Sequence, residues 1–298
     1  MHRYLKACGF PDHLTERNVL DFLSSTVVKP ENLYTEVKID AETTAREYRF
    51  LVNENTGVAA VMLFLAGRQP VLSHYFPFYE PVDAPVNEDC SIDRHADREV
   101  YAGITDLPDN GATLIFFITN SLDYRRKLLG GADPCALYYG AYISAFGESG
   151  KVLLPIAKDE RDIAADEQAR MDMNELREKA FDGDDDAGFA YESREMYYYD
   201  QIRERAQSED LYTLVDQTFI PDGVECDQYS VVGEILEVGE AENTLTGEPL
   251  WQILVTCNGV KFRLCMRKKD LLGEPAQGRR LKCGIWLQAH VNLESAKA

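Results

Sequence analysis

The sequence has no hydrophobic run long enough to cross a membrane, and it has too few basic residues to balance its acidic ones. No window of about 18 apolar residues occurs, and the N-terminal residues lack the hydrophobic segment of a signal peptide. The 31 Lys and Arg residues face 51 Asp and Glu residues, a net charge of −20. This charge disfavours general attraction to nucleic acid or anionic lipid. We therefore expect a cytoplasmic protein with no membrane segment.

Paired cysteines and the common catalytic motifs are also absent. The seven cysteines are odd in number, widely scattered and never spaced as CxxC, which argues against a disulfide framework and a structural zinc site. No G-x-S-x-G, H-E-x-x-H or G-x-G-x-x-G motif occurs. These absences weaken the usual hydrolase and dehydrogenase hypotheses. We expect reduced, mostly buried thiols, and the sequence indicates no particular cofactor.

The composition that is present predicts a folded α+β protein in three parts. Hydrophobic residues make up 45% of the chain and charged residues 28%, which is enough apolar material for a core. Residues 1–157 contain one early helix, Leu14 to Val27, and several strand-like runs, which indicate a mixed α+β domain. The segment Gly147 to Gly150 resembles the turn of a hairpin. Residues 158–225 then form an acidic helical connector, and residues 226–298 a small antiparallel β-barrel.

The connector carries about half of the net charge. Between Lys158 and Asp210 we count 18 acidic and 8 basic residues, a net charge of −10. Helix-favouring residues predict helices at Glu160 to Ala180 and Tyr191 to Gln207, separated by the loop Asp182 to Gly188. A basic protein partner could dock on these acidic helices.

The C-terminal barrel is predicted from turn chemistry and alternation. Asn258-Gly259 favours a two-residue hairpin turn, which sets Cys257 opposite Val260 and Val255 opposite Phe262. Pairing further out sets Ile253 opposite Leu264 and Trp251 opposite Met266. The last strand then alternates apolar and polar residues from Arg280 onward, which predicts one buried and one outer face. Its inward positions are Leu281, Cys283, Ile285, Leu287, Ala289, Val291 and Leu293. An OB-like barrel fits this pattern best.

The outward positions of this barrel carry a cluster of cations and one tryptophan. Such a surface binds single-stranded nucleic acid when phosphates contact the cations and a base stacks on the ring. The alternative is that the Lys and Arg side chains make the outer face soluble or pair with the acidic helices, while the tryptophan packs against the other domain. The acidic connector favours this alternative because it competes with phosphate for the same cations. The candidate binding residues are Lys261, Arg263, Arg267, Arg280, Lys282 and Trp286.

A second candidate site consists of acidic residues and one histidine at every second position. On an extended segment this spacing places Asp93, His95, Asp97 and Glu99 along one face. Imidazole and carboxylate groups are ligands for Zn²⁺, Mn²⁺ or Fe²⁺, and His95 could also act as a general base. Adjacent residues on that face lie roughly 6.5 to 7 Å apart, so the side chains must converge to share one ion. The alternative is a solvent-facing segment in which a carboxylate holds His95.

Two aromatic runs could line a pocket. They are His74 to Tyr79 and Tyr197 to Tyr199. Aromatic clusters are more often part of a core or of packing between domains.

Four segments carry a resemblance to known sequences: Leu271 to Arg280, Gly284 to Gln288, Tyr75 to Tyr79 and Arg94 to Ala96. On these segments, and over nearly its whole length, the chain resembles an uncharacterised family of clostridial proteins known only as a domain of unknown function. It implies a bacterial cytoplasmic setting. It implies no activity, cofactor or catalytic residue.

These observations favour a non-enzymatic binding or regulatory protein, because no strong catalytic spacing accompanies a barrel with a distinct basic face. The alternative is a metal-assisted, hydrolase-like enzyme that uses the cluster around His95.

Overall fold

The computed structural model of the 298-residue chain describes residues 2–83, 86–87, 90–94, 101–106, 113–131, 140–156, 160–205, 207–208 and 215–293. Within these residues the chain forms a four-stranded sheet, a larger sheet that closes into a barrel, and a pair of long helices. The predicted α+β class and the small barrel are confirmed.

The first helix and the four-stranded sheet come from the first 79 residues. Helix α1, Glu16–Phe22, begins at a capping box in which Thr15 and Asn18 exchange side-chain and backbone hydrogen bonds, and a π-helical turn, Leu23–Val27, continues it. The sheet is antiparallel with its strands in chain order. Its strands are β1 Tyr34–Lys38, β2 Thr43–Leu51, β3 Thr56–Leu65 and β4 Val71–Tyr79.

The larger sheet contains the barrel. Its strands before the long helices are β5 Val86–Asn87, β6 Cys90–Arg94, β7 Tyr101–Asp106, β8 Thr113–Ile118 and β9 Ala141–Leu153, with helix α2, Ser121–Leu129, after β8. Those after the helices are β10 Thr218–Pro221, β11 Gln228–Glu242, β12 Pro249–Cys257, β13 Val260–Arg267, β14 Leu271–Leu272 and β15 Arg280–Val291. The ring runs β11, β12, β13, β9, β15 and back to β11. Outside the ring, β8, β7 and β6 follow outward from β15 in that order, β10 pairs with β11, and both β5 and β14 pair with β9.

The predicted hairpin register is confirmed. Cys257 pairs with Val260, Val255 with Phe262, Ile253 with Leu264 and Trp251 with Met266. Asn258 and Gly259 both adopt positive φ, at 47° and 81°, as the predicted turn requires. The inward residues of β15 from Leu281 to Val291 lie in the barrel core, so the predicted alternation is confirmed as well.

The predicted hairpin at Gly147 to Gly150 is wrong. These residues lie inside β9, which runs unbroken for 13 residues and pairs with β15 along its length. Gly147 is required for close packing rather than for a turn, because a Cβ there would lie 2.9 Å from Cys283 Sγ and 3.0 Å from Leu264 Cδ1. The glycines therefore let β9 enter the barrel.

Hydrogen bonding crosses the predicted domain boundaries. Strand β9 precedes residue 157, yet it pairs parallel with β13 and antiparallel with β15 of the C-terminal segment. The barrel thus takes one strand from the N-terminal segment and contains one parallel pairing. The division into residues 1–157, 158–225 and 226–298 as separate units stays a prediction.

Apolar side chains pack against both the inner and the outer surface of the barrel wall. Its interior is one core, which includes Phe262 and Leu264. A second core lies outside the barrel, where Phe146 and Trp286 of the barrel wall pack against the four-stranded sheet and the N-terminal residues. Where the four-stranded sheet packs on the barrel, both surfaces of the barrel wall are therefore buried.

A largely buried ionic network, formed by Glu47, Arg49, Glu80, Thr119 and His290, joins the two sheets. Arg49 Nε lies 2.7 Å from Glu47 Oε1, its Nη1 lies 2.7 Å from Glu80 Oε2, and its Nη2 donates to the Thr119 carbonyl. Thr119 also donates its hydroxyl to Glu80, and His290 Nδ1 lies 3.0 Å from the same carboxylate. These groups come from β2, β15 and the ends of β4 and β8, so the network fixes the sheets to each other.

The acidic connector forms an antiparallel pair of helices, α3 Glu160–Phe181 and α4 Asp185–Arg205. Helix α4 begins six residues earlier than predicted, because Asp184 caps it by accepting the Ala187 N–H at 3.0 Å. Within the described residues, no helix has the length and apolarity that crossing a membrane requires.

Candidate ligand-binding site

An open cleft of about 720 Å³ lies where the four-stranded sheet, the strands β7 and β8 and the N-terminal residues meet the barrel. Its walls combine aromatic rings with several polar and charged side chains. The residues that line it are His2, Arg3, Tyr4, His74, Tyr75, Phe76, Tyr101, Ala102, Ile115, Phe116, Phe117, Glu225, Cys226, Asp227, Gln228 and Trp286.

Trp286 is the centre around which the aromatic wall is built. It is only 4% exposed, and its ring centroid lies 5.4 Å from that of Tyr4, in a stacked arrangement, and 5.2 Å from that of Phe117. Phe117 in turn packs edge-on against Phe76 of β4, at 4.9 Å. Ring contacts of this kind stabilise the wall beyond the area they bury.

The segment from Glu225 to Gln228 forms the polar side of the cleft and is held at three points. Trp286 Nε1 donates to Asp227 Oδ2 at 2.8 Å, and the Leu287 N–H donates to the Asp227 carbonyl at 2.9 Å. The Tyr229 hydroxyl accepts the Ile115 N–H at 2.8 Å and lies 3.1 Å from the Cys226 carbonyl. Because burial raises the pKa of Tyr229, this hydroxyl keeps its proton at neutral pH.

The charges in the cleft favour a ligand without negative charge. Burial, together with the nearby chain amino group, lowers the pKa of His2 to about 4, so His2 is neutral at pH 7. The Arg3 guanidinium is paired, with its Nε 2.5 Å from Glu148 Oε2. The lining also contains the carboxylates of Glu225 and Asp227. A cation or a neutral hydrogen-bond donor therefore fits this side of the cleft better than an anion.

This arrangement is suited to holding a planar ring. His74, Tyr75 and Phe117 are half-buried, so part of each ring faces the cleft. The backbone N–H of His2 donates to the Tyr75 hydroxyl at 3.0 Å, which fixes the Tyr75 side chain. A flat ligand gains stacking on the rings, and its polar edge can reach the carboxylates.

The structure divides the six predicted binding residues into two groups. Lys261, Arg263 and Arg267 lie on β13, whereas Arg280, Lys282 and Trp286 lie on β15, and β9 stands between these strands in the ring. Lys261 is exposed and Lys282 is half-buried. Arg280 is 5% exposed and Trp286 is packed as described above, so neither forms an open surface.

Carboxylates and carbonyls of the same chain hold the arginines of these groups. Arg267 pairs with Asp270 at 2.6 Å and with Asp12 at 2.9 Å. Arg280 donates to the carbonyls of Leu154 and Val215, both at 3.1 Å. Nε and Nη2 of Arg267 and Nε and Nη1 of Arg280 are therefore engaged within the protein, which leaves less charge for phosphate.

Arg263 lies in a second, shallower hollow of about 450 Å³. Its Nη2 contacts Asp83, and it also lies 2.7 Å from Glu237 Oε2. With two carboxylates beside it, Arg263 is compensated as well. This hollow offers no uncompensated cation, and the binding role of the six residues stays a prediction.

Of the predicted metal ligands only Asp93 lies within the described residues. It is exposed on β6 and pairs with Ala102 of β7. His95, Asp97 and Glu99 lie outside the described residues, so their convergence stays a prediction. In the part of the chain that is described, no three His, Cys, Asp or Glu side chains form a group that could hold a metal ion.

The sequence did not predict the cleft as a unit, because its lining comes from six separate segments. Two signals pointed toward it. The aromatic run from His74 to Tyr79 supplies one wall, and Trp286 is an aromatic residue on the outer side of a barrel strand. Nothing in the sequence indicated that the segment around Asp227 meets them.

The cleft and the barrel define the molecule as an α+β protein with a small closed barrel and an aromatic cleft beside it. The chain belongs to the family described as "Domain of unknown function, E. rectale Gene description (DUF3881)", whose family model matches residues 5–289. The expected resemblance to an uncharacterised clostridial family is thereby confirmed. No curated protein and no solved structure matches the chain.

Proposed function

We propose that this chain is a non-enzymatic binding protein of the bacterial cytoplasm that holds a small planar molecule in the aromatic cleft. The observation that carries the proposal is the cleft itself, in which rings from β4, β8 and β15 converge on about 720 Å³. Ligand pockets of proteins typically measure about 300 to 1,000 Å³ and combine apolar walls with a few polar groups. The five cysteines whose pairing is described are free thiols, which supports a reducing compartment.

A planar cation is the ligand class that the lining favours. The carboxylates of Glu225 and Asp227 line the cleft, Arg3 is compensated by Glu148, and His2 is neutral at pH 7. Aromatic faces attract cations through their quadrupole, by about 0.5 to 1 kcal/mol at exposed sites. An anionic ring of the same shape lacks this attraction and meets the carboxylates instead.

Trp286 provides the experiment, because the chain has only two tryptophans. In the variant Trp251→Phe, fluorescence reports from Trp286 at the cleft alone. We expect benzamidine, a planar cation, to change the emission saturably. The neutral isostere benzamide should bind more weakly, and the anion benzoate about tenfold more weakly than benzamidine.

The variant Asp227→Asn separates charge from structure. An asparagine can still accept the Trp286 Nε1–H bond, yet it removes the negative charge. We expect benzamidine to bind several-fold more weakly while benzamide binding stays unchanged. Glu31→Gln, an exposed acid that is not part of the cleft lining, is the matched control. Absence of saturable binding by all three probes, or equal effects of the two substitutions, would refute the proposal.

A further inference from the structure

The helical hairpin α3–α4 displays large apolar side chains that the rest of the molecule does not cover. Phe181 is 90% exposed, Phe189 75% and Met196 67%, and Tyr197 and Tyr199 are exposed as well. Among the described residues, each of the two helices packs mainly against the other helix. Soluble proteins rarely leave such a group of side chains open to water without a binding role.

Among the exposed apolar side chains of α4, Phe189 and Met196 share one side of the helix. At about 100° per residue, Phe189 and Met196, seven residues apart, point within about 20° of each other. Tyr197 and Tyr199 lie about 80° to either side of Phe189, and Tyr198, which is 43% exposed, lies opposite it. The opposite side includes the buried Ala187 and the half-buried Tyr191, and it faces α3. The apolar stripe of α4 is thus turned away from the helix that α4 packs against, which is the reverse of an ordinary surface helix.

The charge around this stripe selects its partner. Residues 160–205 contain 15 acidic and 7 basic residues, a net charge of −8. Asp185, Asp186 and Glu192 are exposed beside the stripe. A second copy of the hairpin would bring −8 against −8, and anionic lipid or nucleic acid would be repelled in the same way. A helix with large apolar residues on one side and Lys or Arg on the other satisfies both the stripe and the charge.

We propose that the outer side of α4, formed by Phe189, Met196, Tyr197 and Tyr199 with the surrounding acids, docks a basic amphipathic helix of a partner protein. Aromatic and methionine side chains adapt to helices of varied sequence, so they suit this kind of recognition. This site is separate from the aromatic cleft and does not depend on the proposed small-molecule binding.

The test uses the full-length chain and a labelled peptide of repeated Leu-Lys-Lys-Leu-Leu-Lys-Leu heptads, followed by fluorescence anisotropy. We expect saturable binding that weakens with salt. A peptide of the same composition in scrambled order should bind at least about tenfold more weakly, and a peptide with Glu in place of Lys should not bind. The double variant Phe189→Ser/Met196→Ser should lose about tenfold in affinity.

Two further variants make the result specific. Asp185→Asn/Asp186→Asn should weaken binding several-fold and reduce its salt dependence. Leu33→Ser/Leu272→Ser removes two comparably exposed apolar side chains, 78% and 69%, outside the hairpin and should bind as the wild type does. Equal binding of the scrambled peptide, or no effect of the Phe189 and Met196 changes, would overturn the proposal. Sedimentation could also show a dimer of the wild-type chain that the variant Phe189→Ser/Met196→Ser does not form. That result would overturn the proposal and identify a second copy of the chain as the occupant.

Discussion

The barrel and the helical hairpin contain similar large apolar side chains but treat them in opposite ways. Inside the barrel, Ile253 and Leu264 are fully buried and Phe262 is 1% exposed. On the hairpin, Phe181 is 90% exposed and Phe189 75%. Because burial of apolar area is the main source of stability, the barrel and the sheet on it carry the fold. The large apolar side chains of the hairpin instead remain exposed.

The charges show the same contrast. Arg49 is enclosed by Glu47, Glu80 and the Thr119 carbonyl between the two sheets. On the hairpin, the pair Lys179–Glu175 is more than half exposed at both ends. A buried charge depends strongly on its partners, whereas an exposed pair contributes little. The four changes below test this division, from the largest expected effect to the smallest.

Removing a ring from the barrel core should cost far more than removing one from the hairpin. Phe262→Ala deletes a buried side chain and leaves a cavity, so we expect the free energy of unfolding to fall by about 3 to 5 kcal/mol. Phe189→Ala is the matched control, and its expected effect is below about 0.5 kcal/mol. Urea unfolding followed by tryptophan fluorescence measures both. Similar losses in the two variants would show that the hairpin ring is buried.

Removing the buried cation should come next. Arg49→Met leaves the carboxylates of Glu47 and Glu80 without their main compensation, and we expect a loss of about 3 kcal/mol in unfolding free energy. In the hairpin, Lys179→Met breaks only a solvated pair and should cost at most about 0.5 kcal/mol. Chemical denaturation at neutral pH decides between them. A loss below about 1 kcal/mol for Arg49→Met would mean that water reaches the network.

The barrel hairpin could be predicted because its signals are local. The Asn258-Gly259 turn fixes the register, and the alternation on either side fixes the faces. The place of β9 could not, since its partner β15 lies more than a hundred residues further along the chain. The sequence around Gly147 therefore predicts a turn that the structure does not contain. The close contacts of Gly147 with Cys283 and Leu264 show instead that its missing side chain allows β9 to pack against its neighbours.

The cleft was harder to predict than the fold. Its residues have no common spacing, because the N-terminal residues, β4, β8 and the segment around Asp227 meet only after both sheets have packed. Trp286 could be assigned to the outer side of a strand, but the sequence does not show that Tyr4 and Phe117 cover it there. The exposure of the hairpin was partly predictable from its charge, whereas the direction of Phe189 was not.

Acid should remove part of the stability that the buried network contributes. Burial opposes ionisation of Glu80, but Arg49, His290 and Thr119 outweigh it and lower the pKa of Glu80 below its ordinary value of 4.5. A depressed carboxylate pKa gives stability that is fully present above the unfolded pKa and is lost as pH falls toward the folded one. Glu80→Gln should therefore cost about 2 kcal/mol near pH 7, and progressively less below about pH 4.

Glu47 acts in the opposite direction and makes a useful comparison. Burial raises its pKa despite the neighbouring Arg49, so its ionised form is a cost above about pH 4.5 that falls away in acid. The difference in unfolding free energy between wild type and Glu80→Gln, measured from about pH 7 to about pH 3, isolates the Glu80 contribution. A difference that grows toward acid would reverse the assigned sign.

The smallest effect should follow the largest deletion. Replacing residues 160–205 by a short Gly/Ser linker removes the whole hairpin, yet Arg280 still donates to Leu154 before it and to Val215 after it. The residues on either side of the deleted segment are therefore both bonded to Arg280. The deletion also changes the net charge from −20 to −12, which reduces self-repulsion. We therefore expect the melting temperature to change by no more than about 2 °C. Arg280→Met, which takes both hydrogen bonds away, should lower it by several degrees. If deletion of the hairpin lowered the melting temperature more than Arg280→Met does, the hairpin would stabilise the barrel, and its exposed aromatic residues would need an explanation within the fold instead of a partner.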